Sequence, residues 1–392
     1  MTLANGRELL AIPGPTTVPE AVLQAMMRPA LDIYAGPMLA LTDSLLTDLA
    51  RVFRTKGRVY IYAANGHGGW EAAFSNVLSR GDKVLILESG RFARGWGEMA
   101  GFMGAVPEVL AGDWRRAVDP AAVEARLKED ARHEIKAVMV AQIDTASGVA
   151  NDVAAIRAAL DAARHPALLM VDCVASLGCM PFEMDAWGVD IAMAGSQKGL
   201  MTPPGLAFVA ANERAHAAYA RADMKTLYWD WGFRQGKEHY HKYCGTPPEH
   251  LLFGLRAALD LLLGEGLDNA WRRHARLAAA THAAVTRWAE AGALDFNIRE
   301  AGQRSASVTN VLVNGRDAGI ILDYCREQCG VILGVGIGGL EGRAFRIAHM
   351  GHVNAPAVLG TLSCIEMALQ ALQVPHGAGG AAAAITSLAQ GA

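Results

Sequence analysis

The chain has 392 residues, enough for two or three domains. It is 52% hydrophobic and 19% charged, with a formal net charge of −3, the balance of an ordinary globular protein. That balance lacks the basic excess of nucleic-acid binders, and no apolar run reaches the length of a bilayer-spanning helix, so neither a nucleic acid nor a membrane is expected as partner.

Residues 1–10 have neither a basic start nor a continuous apolar stretch, so no secretory leader is expected. The six cysteines, at 173, 179, 244, 325, 329 and 364, form no CxxC pair and no disulfide framework, and the final Gln390-Gly391-Ala392 spells no targeting tripeptide. The expected location is cytoplasmic. Ile12 to Pro19 holds three prolines, which rules out a helix interior and predicts an extended arm over residues 1–20.

Helical spacing follows from Met38 to Phe53. Short apolar runs then alternate with helix-like segments. The predicted strands are Val59–Ala63, Lys83–Leu87, Ala137–Ala141, Leu168–Val171, Ile191–Ala194 and Leu206–Ala210. The predicted helices include Gly69–Leu78, Phe92–Met103, Pro120–Leu127 and Val153–Ala163. Continuous apolar strands alternating with helices imply an α/β domain, residues 21–248, with a mainly parallel sheet buried on both faces. From Pro247 the texture changes. One long helical region, about Glu249 to Ala291, leads into a smaller α+β unit within 249–392, with strands Thr309–Val313 and Ala344–Ile347 and helices Ile320–Gln328 and Ala355–Leu372. Residues 376–392 are rich in glycine and alanine and leave open a last helix, Ala381–Leu388, or a frayed tail.

Ligands of such sheets bind beyond the carboxyl ends of the strands, so the residues there matter most. After the first strand comes Asn65-Gly66-His67-Gly68-Gly69, either a phosphate cradle at a helix start or a plain turn. After the Leu168 strand comes Asp172, a costly buried acid unless a cation or donor pairs with it. A pyridinium nitrogen would be such a partner; a helix cap is the plainer reading. After the Ile191 strand comes Gly195-Ser196-Gln197-Lys198-Gly199, where the Lys198 amine can form an imine with an aldehyde or sit in an ordinary loop. Together they are more specific than apart. A phosphate cradle, an acid and a lysine along one sheet edge are the three anchors of a phosphorylated pyridine aldehyde.

The segments Val171-Asp172-Cys173-Val174-Ala175-Ser176-Leu177-Gly178, Met184-Asp185-Ala186-Trp187-Gly188-Val189-Asp190-Ile191 and Gly195-Ser196-Gln197-Lys198-Gly199-Leu200-Met201-Thr202-Pro203-Pro204-Gly205-Leu206 closely resemble class V aminotransferases, nearest the serine–glyoxylate and alanine–glyoxylate group. The resemblance runs from Ile12 to about Gln373. It implies the type I fold of pyridoxal 5'-phosphate (PLP) transferases and an amino group moved from a small amino acid (serine, alanine or aspartate type) to glyoxylate or pyruvate. It also implies roles. Lys198 would hold PLP covalently and move the α-proton, and Asp172 would pair with the ring nitrogen. Val174 and Phe92 would pack on the two ring faces, with Thr145 at the phenolic oxygen. Gly66, His67 and Gln197 would contact the phosphate. Tyr243 and Thr246 would reach the phosphate of a partner subunit, which implies a homodimer. Arg346 would grip the substrate carboxylate. Where relatives carry an Asp-His-Arg stretch this chain has Asp32-Ile33-Tyr34, which makes Tyr34 a substrate-side candidate and is similar to pyridoxamine–pyruvate aminotransferase. That exchange, a PLP-dependent lyase and a non-catalytic small-molecule binder are the alternatives.

Other features point elsewhere only weakly. Gly334-Val335-Gly336-Ile337-Gly338-Gly339 spells a dinucleotide motif but leads into a strand rather than the helix that motif needs. His239, His241, Cys244 and His250 lack regular zinc spacing, Cys325 and Cys329 lack companion ligands, and no metal is expected. The aromatic run Tyr228-Trp229-Asp230-Trp231-Gly232-Phe233 either shapes the pocket or packs.

Overall fold

Apolar residues sort the chain into two main sheets, the larger with a core on each face and the smaller with its own, beside a short two-stranded ribbon of Ile143–Asp144 and Val149–Ala150. The computed structural model describes residues 2–390, and Gly391 and Ala392 of the expected tail lie outside the described residues. The first strand is β1 (Leu9–Ala11), followed by the short helix α1 (Glu20–Met26) and by α2 (Pro37–Phe53). The large sheet takes β2 (Arg58–Ala64), β3 (Lys83–Leu87), β4 (Val106–Leu110), β5 (Ile135–Ala141), β6 (Leu168–Asp172), β7 (Ile191–Gly195) and β8 (Gly205–Ala211), in the spatial order β2-β8-β7-β6-β5-β3-β4. Helices α3 (Gly66–Ser75), α4 (Arg91–Phe102), α5 (Pro120–Glu129), α6 (Val153–Ala162) and α7 (Glu213–Tyr219) connect or follow these strands.

Every strand predicted for this sheet is present within a residue or two. Neighbours from β4 through β7 run parallel, while β8 lies antiparallel to both β2 and β7. The reason is local: only Ser196–Pro204 joins β7 to β8, too short a link for a crossover helix. Successive residues of a strand face opposite ways, so Val138 and Val140 enter one core with Leu45, Ile156 and Phe208, while Ala137 and Met139 enter the other with Tyr62, Trp70 and Trp96. Edge strand β4 was not anticipated. It carries Pro107 and is largely exposed, and an edge strand tolerates a missing amide.

The long helix expected from Glu249 to Ala291 is in fact two, α8 (Glu249–Glu265) and α9 (Leu267–Ala289). Gly266 separates them at φ 86°, a conformation that glycine adopts at least cost. The break lets the chain change cores. Leu252, Leu255, Leu259 and Leu262 of α8 pack with the large sheet, whereas Leu277, Ala284, Val285 and Trp288 of α9 pack with the small one.

The small unit continues with β9 (Leu294–Phe296), β10 (Val308–Val313), α10 (Gly319–Cys329), β11 (Val331–Val335), β12 (Ala344–Ala348), α11 (Ala355–Ala371) and α12 (Gly380–Gln390). Its sheet runs β1-β11-β12-β10-β9, so the start of the arm is an edge strand here, Leu9 opposite Val331 in parallel. The tail forms α12, with the amides of Gly379, Gly380 and Ala381 bonded to the Glu366 carboxylate. Gly334 lies inside β11, and a short turn Gly338–Leu340 precedes β12.

Candidate active site

The carboxyl ends of β2, β6 and β7 share one edge of the large sheet, with the start of β8 between β2 and β7, and at that edge is a cavity of about 290 Å³. Eight residues singled out from the sequence line it: Gly66, His67, Phe92, Thr145, Asp172, Val174, Gln197 and Lys198. Trp70, the arm residues Gly14 and Pro15, and Asn65, Ile143 and Ala175 complete the wall.

Asp172 ends β6 and is buried. Its Oδ1 accepts from Val174 N at 2.7 Å and its Oδ2 from Trp70 Nε1 at 2.8 Å. Burial pushes its carboxyl up to about 6, with those two bonds pulling down and the charge of Asp144 pushing up. Lys198 lies in the loop after β7. Burial first, and the Arg346 guanidinium second, lower its amine to about 8. The amine donates to Pro13 O, and the arm is stitched to the same loop by Thr16 N to Gln197 O (3.0 Å) and Thr16 Oγ1 to Lys198 O (3.1 Å). Gly14 is needed there, since a Cβ would stand 2.5–2.7 Å from the last three atoms of the Lys198 side chain.

Gly66 opens α3 behind the cap Asn65, whose Oδ1 accepts from His67 N (3.1 Å) and Gly68 N (3.3 Å). A Cβ on Gly66 would already touch Val174 at 3.4 Å, so the bare backbone forms a cup at the helix start. Phe92 begins α4 and meets Trp70 edge-on, 6.4 Å between ring centroids. Thr145 is buried, and its carbonyl accepts from Arg346 Nη1 at 3.2 Å. Arg346 projects from β12 into the same region, with Nε on Val335 O at 2.6 Å.

Of the expected site residues, Arg346 stands beside the cavity without lining it, and three more lie away from it. Tyr34 is 72% exposed on the surface between α1 and α2. Thr246 is exposed. Tyr243 is buried with its hydroxyl on Thr42 Oγ1 at 2.8 Å. The aromatic run packs: Trp229 Nε1 binds Glu71, Tyr60 stacks on Trp231, and Arg234 holds the segment by donating to the carbonyls of Ile61, Tyr228 and Lys242. His239 and His241 serve singly, one on Thr42 and Ile33 O, the other in a helix cap.

Two contributors escaped the sequence reading. Trp70 stands one helical turn after Gly66, on the same face, which was a usable signal. Asp144 precedes Thr145; it is fully buried, accepts from Ala93 N (2.9 Å) and Ala146 N (3.0 Å), and burial raises it to about 6.

The residues present suit PLP. The helix start at Gly66 favours an anion such as a phosphate, Asp172 is a buried acid that a ring cation would pair with, and Lys198 is an amine lowered to about 8. A mainly parallel sheet, a smaller α+β unit and this set of anchors define a fold type I PLP enzyme. Residues 9–341 match the family Aminotransferase class-V. The chain is 40% identical to serine–glyoxylate aminotransferase of Methylorubrum extorquens, over 97% of this chain and 96% of that one. It is 37% identical to L-aspartate–glyoxylate aminotransferase of Paracoccus denitrificans, over 95% and 94%. The solved structure of pyridoxamine–pyruvate aminotransferase from Mesorhizobium loti superposes with a TM-score of 0.90 at 28% identity, covering 100% of both chains. The chain belongs to the class V aminotransferases and is a PLP-dependent transaminase.

Proposed function

We propose that this enzyme moves an amino group from a small amino acid of the serine, alanine or aspartate type to a small 2-oxo acid, glyoxylate or pyruvate, as a cytoplasmic homodimer. We further propose a division into the arm 1–20, a PLP-binding domain 21–248, and a linking helix with a small domain over 249–392. The observation that carries the substrate class is Arg346. It is buried beside the Lys198 cavity, held by two backbone carbonyls, and makes no ion pair with a carboxylate among the described residues. A buried guanidinium left in that state is a fork for an incoming carboxylate.

PLP, when bound, supplies an aldehyde that takes up the amino group and a ring that accepts electrons released at the substrate α-carbon. Lys198 would hold the cofactor through Nζ and, once freed, its amine would carry the proton taken from the substrate α-carbon. Asp172 would pair with the ring nitrogen. Phe92 and Val174 would pack on the ring, Thr145 would meet its phenolic oxygen, and Gly66, His67 and Gln197 would contact the phosphate. Arg346 orients the carboxylate so that the α-hydrogen faces Lys198. Tyr243 and Thr246 would reach the phosphate site of the partner subunit, and Tyr34 would stand on the substrate side. The exposed Met27, Tyr34 and Leu227 support an interface, and six free cysteines suit a reducing compartment.

The test is a donor panel on the PLP-loaded protein, read as loss of its visible absorption and its return on adding glyoxylate or pyruvate. Serine, alanine or aspartate is expected to bleach it. The reading fails if none does, or if Lys198→Ala keeps both the absorption and turnover. The superposition on pyridoxamine–pyruvate aminotransferase supports a second reading, which pyridoxamine supplied to the cofactor-free protein tests directly.

A further inference from the structure

We propose that Trp70 is a positioning residue for Asp172, its indole N–H fixing the one carboxylate that faces the cofactor ring. The proposal rests on the pairing of Asp172 with the ring nitrogen given above. Among the described residues each oxygen of Asp172 has one protein donor: Val174 N on Oδ1, which is backbone, and Trp70 Nε1 on Oδ2, the single side chain bonded to it there. Trp70 is itself buried and immobilised by neighbours. His67 packs on it at 4.5 Å, Phe92 at 6.4 Å and Trp96 at 6.3 Å between centroids. Its backbone lies on α3, one turn beyond the cup, so the helix that offers the phosphate donors also carries the donor for the acid at the other end of the cavity. The distance between these two anchors is therefore set within one rigid element. The charged and titratable groups acting on Asp172 besides this bond are Asp144 before Thr145 and Lys198 after β7, with Cys173 next to it in the chain. Asp144 disfavours the anion, Lys198 and the indole favour it, and the indole alone of these is neutral at every pH. Its donation persists where the charges around it change.

The experiment measures PLP dissociation constants by equilibrium dialysis for the wild type, Trp70→Phe, Asp172→Asn and the double variant, with thermal melting as the check on folding. A hydrogen bond to a charged acceptor predicts that Trp70→Phe weakens binding ~10-fold, and less than ~2-fold in the Asp172→Asn background. The acid limb of kcat/KM is also expected to move up by about one pH unit in Trp70→Phe, since the acid protonates more readily without its donor. Trp70→His serves as a second variant, keeping a ring donor and expected to stay within ~3-fold of the wild type. If Asp172→Asn alone leaves affinity intact, the ring-nitrogen pairing fails and this proposal with it. If Asp172→Asn weakens binding but Trp70→Phe does so equally in both backgrounds, with an unmoved pH profile, Trp70 merely packs and the proposal alone is overturned.

Discussion

Acidification strikes this fold through histidines that the reaction does not use. His274 sits inside α9 with Nδ1 donating to Ala270 O at 2.7 Å and Nε2 accepting from Gly351 N at 3.0 Å, which fixes the neutral tautomer. Burial lowers it from 6.5 to about 4. Because the folded value is depressed, the unfolded chain takes up protons first, so stability is full above 6.5 and is lost as the pH falls toward 4. At pH 5 the unfolded imidazole is almost wholly charged and the folded one almost wholly neutral, which costs about 2 kcal/mol by linkage. Burial lowers His282 to about 4 and His349 to about 3, and each adds a similar cost. The raised carboxyls of Asp144 and Asp172 act in the opposite direction, each offsetting about 1 kcal/mol at pH 5 in the cofactor-free protein. The perturbation is His274→Gln, whose amide can still donate to Ala270 O and accept from Gly351 N but does not titrate. Urea unfolding of cofactor-free protein at pH 7.5 and pH 5 is the assay. The wild type is expected to lose stability across this interval and His274→Gln to lose about 2 kcal/mol less. An equal drop in both proteins refutes the reasoning.

The amine of Lys198 gives a second pH dependence. Cofactor uptake needs its neutral form, which grows as the pH rises through about 8, so the rate at which visible absorption returns on adding PLP should climb across that value and level off beyond it; a flat rate contradicts the burial argument. Arg346→Lys keeps the charge but loses the fork, and kcat/KM for amino acid and oxo acid should fall ~10–100-fold, mostly through KM. Equal KM values in the variant and the wild type would exclude Arg346 from the carboxylate site. Gly334→Ala should raise KM and lower the melting temperature, because its Cβ would stand 2.6 Å from Pro13 Cδ and 3.0 Å from Arg346 Cβ, an overpacking worth about 1–3 kcal/mol. Unchanged KM and melting would show that the arm yields freely.

How much was legible in the sequence followed from how local the cause was. Strands β5, β6 and β7 are buried on both faces, so unbroken apolar runs marked them, and the strand-end rule then pointed to Asp172 and Lys198. Strand β4 carried no such run, because an edge needs only one covered side. Strand β1 is made by its pairing with residues 331–333, a partner no local window contains. The turn at Gly266 hid inside a pattern that stays helical on both sides; only the change of core explains it. Trp70 reached Asp172 across 102 positions, and nothing near either residue announces the bond.

The crossing of Pro13 and Gly14 over Lys198 has a consequence for how the molecule is made. The strand just upstream, Leu9–Ala11, pairs with Val331–Leu333, a stretch synthesised about 320 residues later. At ~10 residues per second the ribosome delivers it on the order of half a minute later. Until then the nascent large sheet can form while its lysine pocket still lacks one wall. Maturation of the pocket is thus a late event in the life of each copy, timed by the small sheet rather than by the strands that carry the chemistry.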